Sequence, residues 1–415
     1  MPGSSDSQPA PAAVAPQPKW ALTLIFATIF LDLLGVGILV PVIPFLVRQF
    51  DSDALTVGLL ALSFSAAQFV CSPALGVLSD RYGRRPVLLL SLLGTAFGYF
   101  LFGLAGSLLL LFIARLIDGA TGGNISTAQA YIADITPPQD RAKNFGLVGA
   151  AFGLGFIIGP AMGGLLSKIS LAAPAYGAGI LTLVTVAFSY FFLPETIRPE
   201  TRRTTSIRLY DINPFTQVLL AMRRSELLPL LVAVFFLNFA FSGLQTNFAV
   251  YTSDKLGMGP EANAMVFAYI GVIAVLMQAV IVRRLSKHVS DRKLTIVGLG
   301  LMALGFLATA FAYDTLTLYL ACTLTPVGSG LTTPTLTSMI SRQVSSREQG
   351  WILGASQSFA SLARIVGPVW AGVVYDYLSQ GAPYWTGSIS LLATLLVVLL
   401  FAARRPSAPS ATAQP

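Results

Sequence analysis

The chain alternates long apolar runs with short polar segments along most of its length. Twelve of these runs reach about 20 residues, the length of helix that spans the hydrocarbon of a bilayer. Their centres fall near Ile29, Ala66, Gly94, Thr121, Leu154, Thr182, Leu237, Ala274, Leu304, Gly330, Val366 and Leu395. Only 11% of the 415 residues are charged, against about 25% in soluble domains. The pattern therefore indicates a surface that faces lipid.

The composition of the runs favours helices over the strands of a barrel. They contain Gly, Pro, Ser and Thr but few ionised groups, as packed membrane helices do. The predicted fold class is an all-α membrane protein with twelve transmembrane helices.

The basic residues indicate topology. A net charge of +8 could point to nucleic acid. Threading the runs with the N-terminus inside, however, places most Lys and Arg on the cytoplasmic side and only Arg48, Lys168 and Lys255 outside. This asymmetry is the positive-inside rule. It predicts a multi-pass protein of the inner, cytoplasmic membrane with both termini in the cytoplasm, and no nucleic-acid partner.

Composition also divides the chain. The first residues are rich in Pro, Ala and Ser and lack an apolar face, which predicts disorder, and apolarity lapses again between Leu193 and Leu227. The predicted parts are a disordered tail 1–18, a six-helix bundle 19–193, a cytoplasmic linker 194–226, a second six-helix bundle 227–403 and a disordered tail 404–415.

The two predicted bundles repeat one another. The stretch RAKNFGLVGAAFGLGFIIGPAMGG, from Arg141, is echoed by REQGWILGASQSFASLARIVGPVWAG, from Arg347, with Gly-Pro at a similar depth in the fifth and eleventh runs. Two repeated bundles around a cavity at the membrane midplane are the usual architecture of a secondary transporter.

The loop GVLSDRYGRRP, between the second and third runs, carries an unusual set of residues. Its glycines allow two helix ends to approach through a tight turn, and Asp80 and Arg84 can form charge-assisted hydrogen bonds. The loop is predicted to be a conformational latch and a topology anchor at once; the alternative is a basic loop that only sets topology. The predicted gating residues of this loop are Gly76, Asp80, Arg81, Gly83, Arg84 and Arg85.

Ionisable groups also occur at membrane depth. In the fourth run, Arg115, Gly119 and Gly123 recur every four residues along one helical face. A buried arginine needs a partner, and Asp118, three residues on, can provide one. In the first run, Asp32 is an acid that could bind and release a proton. Asp32 and Asp118 are therefore the candidate proton-binding acids; which of them carries the proton is open, and Arg115 with Asp118 could be a purely structural pair.

The fifth run is rich in glycine. Small residues on one face let helices approach closely, and a proline lets a helix bend. The residues predicted to form this packing motif are Gly146, Gly155, Gly159, Pro160, Gly163 and Gly164.

Other polar or aromatic residues within the runs are candidates for a substrate cavity. They are Asn124, Gln129, Asn238, Phe241, Gln245, Asn247, Gln357 and Arg364. Amides in hydrocarbon also bond across helices, so some could serve packing alone. Arg364 has no acid near it in sequence and could either meet Asp32 or hold an anionic substrate.

These motifs resemble the major facilitator superfamily. Gly76 to Arg85 match its loop pattern GxLxDRxGRR, the fourth run matches RxxxGxxxG, and the fifth run matches the antiporter signature GxxxxxxxxGxxxGPxxGG. Within the superfamily the chain is similar to twelve-span drug:proton antiporters of the tetracycline-exporter type, which share LDxxGxGxxxPxxP in the first run. The resemblance implies that Asp80, Arg84 and Asp134 form a charge relay that stabilises an outward-open state, that the arginine motif handles protons, and that the protein is a monomer.

The sequence departs from tetracycline exporters at their other membrane acids. Where they have an aspartate in the third helix, this chain has Gly98, and its ninth run has no acid. Asp118 is present instead. The proton route or the drug contacts are therefore expected to differ.

The predicted function is secondary active transport, a proton-coupled antiporter that exports amphiphilic small molecules or drugs by alternating access. The alternatives are a proton-coupled importer or uniporter of a sugar, organic acid or lipid, and a membrane sensor that does not transport. An enzyme is disfavoured because GxSxG, HExxH and the phosphate loop are all missing from the sequence. With one histidine and two cysteines, neither a metal site nor a cofactor is expected; the proton gradient supplies the energy.

Overall fold

A computed structural model describes residues 20–50, 53–136, 141–197, 212–224, 226–286, 288–344 and 349–403. The tails predicted to be disordered, 1–18 and 404–415, lie outside these ranges, as do residues 198–211 and 225 of the predicted linker.

The first half of the described chain consists of eight helices. They are α1 (Ala21–Leu39), α2 (Ile43–Arg48), α3 (Ala54–Tyr82), α4 (Arg84–Gly103), α5 (Leu108–Thr121), α6 (Asn124–Ile135), α7 (Arg141–Ser167) and α8 (Ala173–Phe192). Successive crossings run in opposite directions, so the turn at Gly83 lies at one end of the bundle and Arg48 at the other. These are called the Gly83 end and the Arg48 end.

The second half has the same alternation. Its helices are α9 (Phe215–Met222), α10 (Leu228–Leu256), α11 (Pro260–Leu276), α12 (Arg283–Leu285), α13 (Asp291–Ala310), α14 (Thr315–Ser341), α15 (Gln349–Tyr377) and α16 (Ala382–Ala403). A π-helical segment, Met277–Val282, joins α11 to α12 without a break.

The predicted fold class is confirmed. Within the described ranges, nine helical stretches are long and apolar enough to cross a membrane. Three further crossings complete the alternating series of twelve. They are α7, the continuous helix formed by α11, the π-helical segment and α12, and α14. No strand occurs among the described residues.

The fourth crossing differs from the prediction of one continuous helical face. It breaks between α5 and α6, at Gly122 and Gly123. Glycine has a low helix propensity, and the carbonyl of Gly122 accepts a hydrogen bond from Gln68 Nε2 on α3 at 2.7 Å. The break therefore places the N-terminus of α6 inside the membrane-spanning region.

The halves pack on each other in a pseudo-symmetric way. The fifth crossing of the first half, α7, contacts α11 where Ile157 lies against Gly271. The fifth crossing of the second half, α15, contacts α3 where Pro368 lies against Gly58. Each half thus docks its fifth crossing on the second crossing of the other.

Polar contacts join the halves at the Arg48 end. Arg48 donates two hydrogen bonds to Asp254, at 2.6 and 2.7 Å. Lys168 and Glu261 form an ion pair at 2.7 Å. The two halves are therefore held together at this end.

The first turn of α3 is capped from both halves. Asp53 accepts from the backbone N–H of Thr56 at 2.8 Å, and the hydrogen bonds from Thr56 hold the pKa of the Asp53 carboxyl below its usual value. Asp376, from α15, accepts from the backbone N–H groups of Ala54 and Leu55 at 3.3 and 2.7 Å. Because these N–H groups have no partner within the helix, the cap is also a contact between the halves.

Candidate functional site

Asp32 is buried in the first half and meets a neutral partner. Its Oδ1 accepts a hydrogen bond from Asn124 Nδ2 at 2.7 Å, and only 5% of the residue is exposed. The break in the fourth crossing positions this partner, since Asn124 is the first residue of α6. Its other amide atom, Oδ1, accepts from the backbone N–H of Ile125 at 3.1 Å. The amide is therefore oriented with its N–H group toward the acid.

A small cavity adjoins Asp32. Its volume is about 10 Å³, and its lining includes Thr28, Leu88 and Asn124. A space of this size holds about one water molecule. One water molecule therefore fits beside the Asp32 carboxyl, whereas a drug-sized molecule does not.

Arg115 and Asp118 form a buried ion pair on α5. Arg115 Nη1 lies 2.8 Å from Asp118 Oδ2, as their spacing in sequence predicts. The guanidinium also lies over the rings of Phe64 and Phe102, at 5.4 and 4.9 Å from their centroids. The pair and the two rings together compensate a charge that would otherwise be costly at this depth.

Asp118 faces the glycine that replaces the expected acid of the third crossing. A Cβ atom on Gly98 would lie 3.0 Å from the Cβ of Asp118. The Asp118 carboxylate is also close enough to Asp32 for the two charges to repel each other. Close to both acids lies Tyr99, whose buried hydroxyl has no hydrogen-bond partner. The two predicted acids thus belong to one polar cluster.

The glycines of α7 bring it against α1. A Cβ on Gly159 would lie 2.6 Å from the Cα of Gly37, and one on Gly155 would lie 3.0 Å from the carbonyl carbon of Leu33. Gly163 similarly contacts the carbonyl of Ile38. The helix that carries Asp32 is therefore fixed along three turns of α7.

The remaining members of the motif have different surroundings. Gly164 contacts Ala264 of α11, in the other half. Pro160 lies inside the helix and is buried. Gly146 belongs to α7, but its surroundings lie outside the described part of the structure.

The glycines of the predicted gating loop are not equivalent. Gly83 has a φ of +111°, a conformation that favours glycine, and it makes the turn between α3 and α4. Gly76 lies within α3, and a Cβ there would meet nothing within 4 Å. Close approach of the helix ends therefore requires Gly83 but not Gly76 in this conformation.

Arg84 joins the predicted charges of the loop. Its Nη1 lies 2.5 Å from Asp80 Oδ1, and its Nε donates to Asp134 Oδ2 at 3.0 Å. The residue is 9% exposed. Arg81 is exposed, and Arg85 donates to the carbonyl of Tyr190. The three residues expected to form a relay are thus in direct contact.

Sequence reasoning missed the partners that complete this network. Glu195 accepts hydrogen bonds from the backbone N–H groups of Arg84 and Arg85 at 2.9 and 3.2 Å, which caps α4. Ser79 accepts from Arg84 Nη1 at 2.6 Å, and Thr196 donates to Asp134 at 3.0 Å. The one signal in the sequence was an acid directly after the sixth crossing, in PET.

A larger cavity lies in the second half. Its volume is about 140 Å³, and it is lined by Val234, Leu237, Asn238, Thr333, Leu336, Thr337, Ser356, Gln357, Ala360 and Arg364. Three of the predicted substrate residues, Asn238, Gln357 and Arg364, meet here. Arg364 donates to Ser361 Oγ at 2.9 Å. It does not pair with Asp32, whose side-chain partner is Asn124.

The other predicted cavity residues lie elsewhere. Asn124 belongs to the Asp32 cluster, whereas Gln129 and Phe241 are exposed. Gln245 is partly buried. Asn247 is fully buried, and neither atom of its amide has a hydrogen-bond partner.

Comparisons with known proteins agree with this architecture. The tetracycline resistance protein, class C, of Escherichia coli is 34% identical over 396 residues, which cover 94% of this chain and 98% of that protein. The quinolone resistance protein NorA of Staphylococcus aureus is 25% identical and covers 91% of this chain and 95% of its own. The crystal structure of the human organic anion transporter MFSD10 matches with a TM-score of 0.73 and 27% identity, over 92% of this chain and all of that one.

The family comparison is equally extensive. The model of the Major Facilitator Superfamily matches residues 25–368 and, in a second match, 276–415. Together these matches span both halves, including the Asp32 cluster and the Arg364 cavity. The chain is therefore a multi-pass membrane protein that belongs to the Major Facilitator Superfamily.

Proposed function

We propose that the chain exports amphiphilic small molecules in exchange for protons, by alternating access between its two halves. Membership of the superfamily supports transport, and the names of relatives linked to tetracycline and quinolone resistance support drug-like substrates. In this proposal the protein acts in the inner membrane as a monomer, with both termini in the cytoplasm and with neither a cofactor nor an enzymatic activity. The moving bodies are residues 19–193 and 227–403.

One observation carries the proposal: two carboxylates are buried in one cluster of the first half. Asp32 has a neutral amide partner and Asp118 a charged one, and their charges repel each other. Protonation of one acid would therefore change the field at the other. A change of this kind can bias the equilibrium between two conformations.

The contacts between the halves support the conformational part. Arg48 and Asp254 close the Arg48 end, which is the outer end in the proposed topology. At the Gly83 end, Arg84 binds Asp80 and Asp134 within the first half. We assign this network the role of a latch that changes partners when the halves rock.

The test uses the purified full-length chain in proteoliposomes that contain a pH-sensitive dye. Tetracycline and norfloxacin, a quinolone, are the first probes. Substrate transport should be accompanied by counter-movement of protons in the wild type. In the double variant Asp32→Asn, Asp118→Asn, the proton movement that accompanies substrate transport should fall by about tenfold or more. This factor is within the usual range for energetic coupling between two sites.

The matched control is Asp314→Asn. Asp314 is an exposed acid that caps α14, and asparagine also caps well, so coupling should not change. Unchanged proton movement in the double variant would contradict the assigned role of the cluster.

The same vesicles decide the direction of transport. Accumulation of a probe in the direction of the proton gradient would favour the alternative of an importer. Transport that is independent of the gradient would favour a uniporter, and binding without flux would favour a sensor.

A further inference from the structure

The cavity of the second half contains a cation without a carboxylate partner. Arg364 lies near the middle of α15, and its described hydrogen bond goes to the neutral hydroxyl of Ser361. Among the described residues, no carboxylate lies close enough to offset its charge. A guanidinium has five N–H donors, so most of its hydrogen-bonding capacity is available to a ligand.

The depth of Arg364 sets the orientation of that ligand. Ser356 and Gln357 lie about two turns earlier on α15, or about 12 Å nearer the Gly83 end. Asn238 and Thr337 also lie in the parts of their helices that are nearer the Gly83 end. The guanidinium is therefore at the deep end of the cavity, and the polar amides and hydroxyls lie toward its mouth.

Apolar side chains on the same helices complete the lining of the cavity. They include Val234 and Leu237 of α10 and Leu336 of α14. A cavity of about 150 Å³ can hold a benzene ring, and this one measures about 140 Å³. The space therefore suits one ring, with further rings extending toward the Gly83 end.

The contrast with Arg115 argues against a merely structural role for the Arg364 charge. Arg115 is neutralised by Asp118 and covered by two aromatic rings. Arg364 is not paired in this way, although an uncompensated charge at membrane depth is costly. Such a charge is typical of a functional site.

We propose that Arg364 forms an anion-binding subsite, so that the transported molecule is an amphiphilic organic anion whose carboxylate, sulfonate or deprotonated enol binds the guanidinium while its rings lie against α10 and α14. This proposal rests on the proposed function, since it names the substrate class of that transporter. Arg364 is its specificity-determining residue.

The test is equilibrium binding of two dyes that share one skeleton. Anilinonaphthalene sulfonate is an anion, and phenylnaphthylamine is the same molecule without the sulfonate. Calorimetry uses the full-length chain in nanodiscs of zwitterionic phosphatidylcholine, with empty discs subtracted, so that no anionic headgroup competes. The wild type should bind the sulfonate about tenfold more tightly than the neutral dye, a factor that corresponds to about 1.4 kcal/mol.

Variants assign this preference to one residue. Arg364→Gln should weaken binding of the sulfonate by about tenfold and change binding of the neutral dye by less than about twofold, since a charge-assisted hydrogen bond is lost. Arg364→Lys, which keeps the charge but not the planar fork, should give an intermediate value. Arg223→Gln removes an exposed charge outside the cavity and should change neither affinity.

Three outcomes would overturn the subsite. The wild type could bind both dyes with equal affinity, or Arg364→Gln could weaken the binding of both dyes equally. The third outcome is that Arg223→Gln abolishes the preference for the sulfonate dye. The wild-type comparison holds even if a variant fails to fold. Selective binding without proton-coupled transport would refute the proposed function and leave the subsite standing. Coupled transport without selective binding would refute the subsite and leave the proposed function standing.

Discussion

The α7 and α15 helices share a Gly-Pro step but differ in how many glycines each one packs against the first crossing of its own half. Aligning Gly159-Pro160 with Gly367-Pro368 places Ala363 and Ala371 where α7 has Gly155 and Gly163. Gly367 still approaches α10 closely, since a Cβ there would lie 2.7 Å from the carbonyl of Phe239. The α7 helix, by contrast, contacts α1 through three glycines. The internal repeat gives the two helices equivalent positions in their bundles. The residues around the Gly-Pro step determine how closely each one can approach its neighbouring helix.

The difference extends to the charges of the two halves. In the first half, Arg115 is paired with Asp118, and the cavity at Asp32 has room for about one water molecule. In the second half, Arg364 lies beside a larger cavity and has no carboxylate partner among the described residues. We therefore propose that the first half, with its paired arginine, handles protons and that the second half, with its larger cavity, binds substrate.

The sharpest test removes one arginine from each half. Arg115→Met leaves Asp118 buried without its partner, and breaking a buried pair costs about 3–5 kcal/mol. The apparent Tm of the purified protein, followed by tryptophan fluorescence, should fall clearly. Arg364→Met removes a cation that has no partner to leave behind, so the Tm should stay the same or rise.

The control for this contrast is the double variant Arg115→Met, Asp118→Asn. Because neither charge then remains buried, most of the stability lost in Arg115→Met should return. Equal losses of Tm in the two single variants would mean that the halves do not differ in the pairing of their charges.

The second test adds one methyl group to each of the repeated helices. Gly159→Ala would place its Cβ 2.6 Å from the Cα of Gly37, and overpacking of this kind costs about 1–3 kcal/mol. Gly354, on α15, faces open space, and a Cβ there would meet nothing within 4 Å. Gly354→Ala should therefore be neutral or should gain up to about 1 kcal/mol from helix propensity. Thermal unfolding measures both, and a loss in Gly354→Ala as large as in Gly159→Ala would show that the close contact of Gly159 with Gly37 is not the cause of its sensitivity.

The sequence predicted the features that depend on local order. The apolar runs predicted the crossings, and the spacing of Arg115 and Asp118 predicted their ion pair. The glycine pattern of the fifth run predicted close packing, which the contacts of Gly155 and Gly159 confirm. Each of these follows from helical periodicity within one segment.

Features that depend on contacts between distant segments were not predictable in the same way. Glu195 caps α4 from more than 100 residues away, and the pairing of Asp32 with Asn124 depends on the break in the fourth crossing. Among the predicted cavity residues, Asn238, Gln357 and Arg364 share one cavity, whereas Gln129 and Phe241 are exposed outside it. A membrane helix is apolar toward lipid as well as toward its neighbours, so the hydrophobic pattern does not distinguish its buried face.

The third test asks whether the first half needs its acid at one position or only in one cluster. Asp118→Gly should lose proton coupling. Adding Gly98→Asp should restore part of it, because the new carboxyl enters the same contact between α4 and α5 and lies one turn from Phe102, over which Arg115 sits. The expected recovery is about tenfold, or about 1.4 kcal/mol, in the proton-movement assay.

The control for this exchange is Gly98→Asp alone. It places two acids in one contact, where their Cβ atoms would be 3.0 Å apart, and it should lower stability. A double variant as uncoupled as Asp118→Gly would show that the position of the acid on α5 is essential.

The smallest expected effect concerns the contacts that join the two halves. The Arg48 and Asp254 side chains are 31% and 25% exposed, and a pair so open to solvent contributes at most about 1 kcal/mol. Arg48→Gln should therefore shift the population toward opening at the Arg48 end by no more than about fivefold. Spin labels on Gly106→Cys and Ser379→Cys, both exposed at that end, measure the change as a longer distance. Lys168→Gln is the graded control: its pair with Glu261 is more exposed, at 52% and 47%, so its shift should be smaller. If Lys168→Gln opened that end more than Arg48→Gln, the closure would depend on α7 and α11 rather than on α2 and α10. The α7 helix, which packs on α1, would then also control opening at the Arg48 end.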